Sequence, residues 1–246
     1  IIMKNLLLFD VDGTICESGQ IINLYMVNLL YKLQSKYDIG IVGGGTFEKI
    51  IYQLDNKLKP KYIFSECGSV FYLLENNSYN LIYQNNIREE KEYLMINKLV
   101  KLSLEYISKQ DYLISGNFID LRNGLIYVSL VGMSANQKER ENFINLDKIN
   151  NYRDSLLKKL IMESKKLNID ETIDIVLGGS VGIAIYPKKW NKTQVLNHID
   201  KNYKEIYFFG DKYEKGGNDY ELITHNKVIG IKVNNINDTI NELKKL

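Results

Sequence analysis

The stretch LLLFDVDGTIC, residues 6–16, decides the fold of this 246-residue chain. Four apolar residues lead directly into Asp10, and Asp12 follows two positions later. A short continuous apolar run predicts a strand of a parallel sheet that is covered on both faces. Two carboxylates so close together raise each other's pKa, and burial raises it further. The stretch therefore predicts a buried strand whose end needs a cation or has a chemical use.

Strands and helices alternate at the start of the chain, a different pattern follows in the middle, and the alternation returns near the end. Strand, helix, strand, helix and strand follow one another up to Gly68, with Thr46 as the N-cap of the second helix. A long helix over residues 88–110, a hairpin at Asn123-Gly124, a further helix and two alternating strands come next. The first pattern then returns, with a helix over residues 191–200 and further strands. The pattern predicts an α/β fold with a parallel-sheet core, residues 1–84 and 187–246, and an inserted α+β cap domain, residues 85–186, with an antiparallel sheet plus helices.

The composition excludes several classes of protein. A net charge of +2, with 45% apolar and 25% charged residues, is typical of a globular enzyme and argues against nucleic-acid or membrane partners. No apolar run approaches the roughly 20 residues of a membrane helix, and the start IIMKNLLLF is too short and wrongly flanked for us to expect a signal peptide. Two cysteines, Cys16 and Cys67, indicate reduced thiols. We therefore expect a cytoplasmic protein.

Carboxylates at strand ends indicate the chemistry. Asp10 and Asp211 each end an apolar strand, and ligands of open α/β sheets bind outside such ends. With Asp12 they form a set of oxygens that suits Mg²⁺, whose charge offsets their repulsion. An ionised aspartate beside Mg²⁺ can attack a phosphoryl group, and a second carboxylate can exchange a proton with the leaving oxygen. The glycines at 43–45 precede a helix whose free N–H groups suit a phosphate, although this signal is weak alone.

Longer blocks of sequence carry a family resemblance. DVDGT, residues 10–14, resembles the first signature of the haloacid dehalogenase (HAD) superfamily. IGIVGGGTFEKIIYQL, NFIDLRNGLIYVS, QKERENFINLDK and IYFFGDKYEKGGNDYE resemble blocks of eukaryotic-type phosphomannomutases, in the same order. The resemblance implies a HAD-like Rossmannoid core and a Mg²⁺-dependent enzyme that interconverts mannose 6-phosphate and mannose 1-phosphate. Its partners would be small sugar phosphates, its activator a hexose 1,6-bisphosphate, and its assembly a homodimer through the cap.

The resemblance also implies roles for individual residues. Asp10 would be the nucleophile, which becomes an aspartyl-phosphate, and Asp12 the general acid/base. The metal ligands would be Asp10, the backbone carbonyl of Asp12 and Asp211, supported by Asn218 and Asp219. The substrate-binding residues would be Thr14, Gly44, Thr46 and Lys192 in the core, and Arg122 and Arg140 in the cap.

Several positions depart from the family pattern where substrate would bind. Arginines are expected at Gly19 and Met133, and a serine and an aspartate at Gly182 and Ala184. These departures leave an alternative open, a HAD sugar-phosphate phosphatase or an altered-specificity hexose phosphomutase. In the phosphatase, water would resolve the aspartyl-phosphate because the cap holds the bisphosphate too weakly. A non-enzymatic member of the family is a third reading, against which Asp10 and its partners argue.

Overall fold

The computed structural model describes residues 4–199, 201 and 203–246. It divides them into two compact units. One, the core, holds the described residues up to Asn85 together with Trp190–Leu246, and the other, the cap, is Asn86–Lys189. The boundaries expected from the sequence, after residues 84 and 186, lie one and three residues from these.

The strands in the described part of the chain form two sheets. In chain order they are β1 (Asn5–Phe9), β2 (Tyr37–Val42), β3 (Tyr62–Ser65), β4 (Val70–Glu75), β5 (Ser78–Gln84), β6 (Ile119–Leu121), β7 (Ile126–Ser129), β8 (Ile173–Gly178), β9 (Gly182–Pro187), β10 (Ile206–Gly210) and β11 (Ile229–Lys232). The core sheet has the order β11-β10-β1-β2-β3-β4-β5 and the cap sheet the order β6-β7-β9-β8.

The helices connect and cover these strands. The α-helices are α1 (Leu24–Leu33), α2 (Phe47–Leu54), α3 (Tyr93–Ile107), α4 (Gln137–Asn150), α5 (Tyr152–Lys166), α6 (Tyr220–Ile223) and α7 (Ile236–Leu243). Short 3₁₀ helices cover Glu66–Gly68, Ile87–Glu89, Lys188–Trp190 and Lys192–Asn197. Among the described residues, none of these helices combines the length and the apolar character needed to cross a membrane.

The strand predicted from the opening stretch lies at the centre of the core. Residues 6–9 of β1 are completely buried, and β1 pairs in parallel with β2 on one side and β10 on the other. Phe9 faces Phe209 in the neighbouring strand, with ring centroids 4.7 Å apart. Burial on both faces explains why an unbroken apolar run forms this strand. The prediction of a parallel-sheet core is confirmed for β11, β10, β1, β2 and β3.

A hairpin that the sequence reading missed extends this sheet. Strands β4 and β5 pair antiparallel with each other, and β4 pairs antiparallel with β3. Their turn contains Asn76 and Asn77, both in the left-handed region with φ of 48° and 64°. Two consecutive positive φ values are typical of the tight turn that matches the twist of a hairpin, and asparagine tolerates them. The core sheet is therefore mixed, with an antiparallel edge.

Two helix predictions need correction. The helix expected over residues 191–200 is present but shorter and of another type, because this segment forms the 3₁₀ helix Lys192–Asn197, and residue 200 lies outside the described residues. Gln194 is buried there and donates to the carbonyl oxygens of Cys67 and Trp190, which ties the segment to its neighbours as a tight turn. In the cap, the helix expected after the hairpin, which contains Leu156 and Leu160, is α5, and the sequence did not predict the separate helix α4 before it. Asn151, with φ of 54°, ends α4 and separates it from α5.

The cap contains the predicted hairpin. Strands β6 and β7 pair antiparallel around Asn123-Gly124, and the Arg122 amide donates to the Leu125 carbonyl oxygen over 2.9 Å. The chain then adds β9 beside β7 and β8 beside β9, both antiparallel. One face of this sheet carries the buried side chains of Ile126 and Val128 from β7, together with those of β9 on the same face. The α+β cap is as expected.

Candidate active site

The ends of two parallel strands bring the first carboxylates together. Asp10 follows β1 and Asp211 follows β10, and the register pairs Phe9 with Phe209 just before them. The Asp10 amide donates to the Phe209 carbonyl oxygen over 2.9 Å, so both aspartates emerge at one edge. Asp219, immediately before α6, completes the group. One carboxylate oxygen from each of the three lies within 4.8 Å of the others.

Gly13 allows the DVDGT turn to approach this group. Its φ is 86°, in the left-handed region that L side chains rarely adopt. A Cβ atom at this position would also lie 2.6 Å from Oδ2 of Asp211. Glycine is therefore required here for both the backbone conformation and the close approach.

Lys192 is the cation of this site. Its side chain is completely buried, and Nζ forms ion pairs with Oδ1 of Asp10 and, over 2.6 Å, with Oδ1 of Asp219. The other oxygen of Asp219 accepts a hydrogen bond from the Lys212 amide over 2.9 Å. The structure thus brings together four of the residues singled out in the sequence: Asp10, Lys192, Asp211 and Asp219.

The electrostatics of the group follow from its burial. Burial, and then the charges of Asp219 and Asp211, raise the pKa of Asp10 to about 8, against the attraction of Lys192. Burial and the charge of Asp219 also raise the pKa of Asp211, although Lys212 opposes this. Burial alone would lower the pKa of Lys192, but its two carboxylate partners raise it above the ordinary value. Desolvation and mutual repulsion thus destabilise the ionised forms of Asp10 and Asp211.

The donor set fits a divalent metal ion. When all three carboxylates are ionised, they and the one buried ammonium carry a formal charge of −2. Oδ1 of Asp211 is buried and has no hydrogen-bond partner among the described residues. A buried carboxylate oxygen without a partner is costly, and a hard cation with oxygen ligands would satisfy it. The residues that could hold such an ion are Asp10, Asp211 and Asp219.

The Asp12 side chain makes a different set of contacts. Its Oδ1 accepts from Nε2 of Gln53 over 2.7 Å and from the Gly19 amide over 2.9 Å. Its Oδ2 accepts from Nζ of Lys49 over 2.7 Å. Burial raises the pKa of Asp12, but the Lys49 charge and these hydrogen bonds hold it below the ordinary value. In the described structure this carboxylate is not part of the group of three, and its assigned roles stay predictions.

The remaining core residues have these positions. Thr14 is completely buried, and its hydroxyl finds no hydrogen-bond partner in the described part of the chain. A Cβ atom at Gly44 would lie 3.8 Å from both the Asn218 amide nitrogen and the Cys67 sulfur. Thr46 is the N-cap of α2, and its hydroxyl accepts from the Lys49 amide, so this expectation is confirmed. The binding roles of Thr14, Gly44, Thr46 and Asn218 stay predictions.

The two cap arginines are each fixed by neighbours in the cap. Nε of Arg122 donates to Oδ2 of Asp120 over 2.7 Å, and its guanidinium carbon lies 5.2 Å from the ring centroid of Tyr127. Arg140, in the first turns of α4, donates to the carbonyl oxygens of Ala135 over 3.0 Å and Met133 over 3.1 Å. These contacts orient both guanidiniums, whose phosphate-binding roles stay predictions.

Tyr127 gives a physical reason for one departure from the family pattern. A Cβ atom at Gly182 would lie 2.4 Å from the Val128 carbonyl oxygen and 2.5 Å from Cζ and Oη of Tyr127. The Tyr127 hydroxyl donates to the Gly178 carbonyl oxygen over 2.9 Å, and the strand register places Tyr127 opposite Ala184. The Tyr127 ring and the Val128 carbonyl oxygen together occupy the space that a serine side chain at 182 would take.

Sequence reasoning assigned no role to Lys49, Gln53 or Tyr127. A signal existed for the first two, since Lys49 and Gln53 are four residues apart on a helix that follows the glycines at 43–45. Gln53 is also 1% exposed, and an amide on the core-facing side of a helix needs polar partners. No local pattern marked Tyr127, because its contacts with Gly178 and Gly182 are made across the sheet, with β8 and β9.

Comparison with solved structures identifies the fold. IMP-bound IMP-nucleotidase of Plasmodium falciparum matches 98% of this chain and 68% of its own with a TM-score of 0.65 and 17% identity. A trehalose-6-phosphate phosphatase related protein matches 92% of this chain and 85% of its own with a TM-score of 0.54 and 15% identity. At these identities the likeness concerns the fold alone, which is that of the HAD-like phosphatases.

Comparison of sequences identifies the family. The model of the family described as eukaryotic phosphomannomutase matches residues 26–246. The phosphomannomutase of Saccharomyces cerevisiae is 36% identical over 247 residues, which cover 99% of this chain and 94% of the yeast protein. That of Triticum aestivum is 32% identical over 244 residues, covering 98% and 94% of the two chains. The match runs through both the core and the cap, and this chain therefore belongs to the eukaryotic phosphomannomutase family.

Proposed function

We propose that this chain is a Mg²⁺-dependent phosphomannomutase that interconverts mannose 6-phosphate and mannose 1-phosphate through an aspartyl-phosphate on Asp10 and a hexose 1,6-bisphosphate. The observation that carries the proposal is the buried contact between Asp10 and Lys192 inside the group of three carboxylates. Membership of the family supports the mannose phosphates as substrates. The phosphatase alternative gains no support from the relatives, which are named as mutases.

The Asp10 carboxylate is the nucleophile. Lys192 holds one of its oxygens, which orients the group and opposes the repulsion from Asp219 and Asp211. Mg²⁺ held by Asp10, Asp211 and Asp219, with Asn218 in support, would neutralise charge on the transferring phosphoryl group and keep Asp10 ionised. The partnerless oxygen of Asp211 is the feature of the site that best supports such an ion.

The residues of the chain carry out two phosphoryl transfers. The cycle starts with Asp10 phosphorylated by the bisphosphate activator. In the first transfer, the free hydroxyl of mannose 1-phosphate attacks the phosphorus on Asp10, the bond from phosphorus to Asp10 breaks, and Asp12 takes the hydroxyl proton, which gives the 1,6-bisphosphate. In the second, after the sugar has turned, an Asp10 oxygen attacks the other phosphorus, the bond from that phosphorus to the sugar oxygen breaks, and Asp12 returns the proton to this oxygen, which releases mannose 6-phosphate. Asp12 thus acts as base and then as acid.

The cap arginines would hold the phosphate that is not reacting. A planar guanidinium matches two phosphate oxygens at once, which suits Arg122 and Arg140 to this task. Because Asp120 and the carbonyl oxygens of Met133 and Ala135 already orient them, little side-chain freedom is lost on binding.

Assembly and compartment are further parts of the proposal. A homodimer through the cap is supported by the exposure of apolar helix side chains, with Leu94, Ile149 and Met162 being 74%, 75% and 62% exposed. Analytical ultracentrifugation of the parent chain and of Ile149→Glu tests the homodimer. A dimeric parent chain and a monomeric variant would support it, and equal masses for the two proteins would count against it. The low cysteine content, with Cys16 and Cys67 as the two cysteines of the 246-residue sequence, supports a cytoplasmic location.

One assay tests the proposed reaction. Mannose 1-phosphate is supplied with Mg²⁺ and a trace of hexose 1,6-bisphosphate, and phosphorus NMR follows mannose 6-phosphate and free phosphate. We expect isomer with little free phosphate, no reaction for Asp10→Asn, and unchanged rates for Asp55→Asn, which alters an aspartate at the far end of α2. Stoichiometric release of phosphate, or no reaction, would contradict the proposal.

A further inference from the structure

Three donors occupy the carboxylate of Asp12, and two of them come from a single helix. Lys49 and Gln53 are four residues apart in α2, so they project from consecutive turns of the same face. The third donor is the backbone amide of Gly19. Nothing in the proposed reaction so far accounts for this convergence on the residue that exchanges the proton.

The donors are unevenly distributed between the two oxygens of Asp12. Oδ1 accepts from both Gln53 and the Gly19 amide, whereas Oδ2 accepts from Lys49 alone. Each carboxylate oxygen has two lone-pair sites. Oδ1 is therefore saturated, and Oδ2 retains one site. This assigns Oδ2 as the oxygen that can exchange a proton.

The size of these interactions argues for orientation and against stability as their main effect. The Lys49 side chain is 41% exposed and that of Asp12 is 28% exposed, and ion pairs that are so exposed to solvent contribute little to folding stability. Gln53 is different, because it is 1% exposed and its amide lies 3.4 Å from the Cys16 sulfur. A buried amide with several contacts has a fixed position, and its hydrogen bond therefore fixes the position of Oδ1.

We propose that Lys49 and Gln53 are positioning residues that hold the Asp12 carboxylate so that Oδ2 meets the sugar oxygen during phosphoryl transfer. The proposal rests on the proposed function, since it concerns the proton step of that reaction. Gln53 fixes the rotation of the carboxylate through Oδ1. Lys49 fixes the direction of Oδ2 and leaves its remaining lone pair to the proton.

The test compares two phosphoryl donors in Lys49→Met and Gln53→Leu. Hexose 1,6-bisphosphate leaves a sugar alkoxide that needs a proton, whereas acetyl phosphate leaves acetate, which does not. We expect kcat with the sugar phosphates to fall about 10- to 100-fold, part of what general acid–base catalysis contributes, with KM nearly unchanged. Phosphorylation of Asp10 by acetyl phosphate should stay within about twofold of the parent rate. Lys49→Arg, which keeps a cationic donor, should recover much of the lost rate.

The controls separate the possible failures. Glu48→Gln removes an exposed charge from the same turn of α2 and should leave both rates unchanged. If Lys49→Met and Gln53→Leu lower both rates equally, their role is structural, and if they lower neither, they do not position Asp12. Either result overturns the inference while the parent chain still isomerises mannose phosphates. If the parent chain itself forms no isomer, the proposed function fails.

Discussion

Replacing Lys192 by methionine should destabilise the core strongly. The ammonium is completely buried between Asp10 and Asp219, whose side chains are 8% and 0% exposed. Removing one partner of a buried ion pair leaves uncompensated charge and costs about 3–5 kcal/mol in the free energy of unfolding. For a chain of this size that corresponds to a Tm about 6–20 °C lower. The loss should shrink when Mg²⁺ is added, because a divalent ion in the group replaces the missing positive charge.

The assay is unfolding by urea in the presence of a metal chelator, with the fluorescence of Trp190 as the signal. This residue is the sole tryptophan of the sequence and is buried in the core, so it reports on the unit that contains the site. Lys212→Met is the matched control, since Lys212 pairs with Asp211 but is 58% exposed. It should cost less than about 1 kcal/mol.

Two results would refute this reasoning. Lys192→Met could be as stable as the parent chain in chelator, which would mean that the ammonium does not offset the buried carboxylates. Alternatively, Lys212→Met could cost as much as Lys192→Met, which would mean that burial is not what sets the penalty. A Lys192→Met/Asp219→Asn double variant should regain part of the loss, because it removes one of the two stranded charges.

Three further predictions follow from other contacts. Gly182→Ser should lower stability by about 1–3 kcal/mol in thermal unfolding, because it drives a side chain into both the Val128 carbonyl oxygen and the Tyr127 ring, and adding Tyr127→Ala should relieve only the part that is due to the ring. Asp38→Asn should lower the free energy of unfolding by about 1 kcal/mol at neutral pH. Although burial raises the pKa of Asp38, hydrogen bonds from Lys61 and Tyr203 and the charge of Lys61 hold it below the ordinary value. Its contribution is thus present above pH of about 4 and lost as the pH falls further, so the two urea-unfolding profiles should converge in acid, and a constant gap would contradict this. Arg122→Lys should raise KM for hexose 1,6-bisphosphate about tenfold in steady-state assays with kcat little changed, because lysine lacks the planar fork, and an unchanged KM would count against a phosphate role.

The meeting of Asp10 and Asp211 could be predicted from the sequence because each position depends only on the residues just before it. Asp10 and Asp211 directly follow apolar runs, and parallel strands end at the same edge, so their meeting needs no further information. Lys192 and Asp219 lie outside the strands, in segments whose paths are set by tertiary packing. Only the family resemblance pointed to them, and the structure then supplied their contacts with Asp10.

The contacts that sequence reasoning missed are those made between elements. Lys49 is exposed, and a lysine on a helix is ordinarily a solvated residue, so only the folded structure reveals its bond to Asp12. The ring of Tyr127 lies over Gly182 because β7 and β9 pair in one register. The hairpin β4–β5 did have a local signal in Asn76-Asn77, which lies between two segments rich in apolar and aromatic residues.

Phosphorylation of Asp10 is the central claim, and rapid quenching with mass spectrometry tests it most directly. The chain is mixed with Mg²⁺ and hexose 1,6-bisphosphate, quenched in acid within one turnover, and digested. We expect one phosphoryl group on the peptide that contains Asp10, and none in Asp10→Asn. Isomerisation that proceeds while this peptide stays unlabelled, or while the label sits on another residue, would contradict the account.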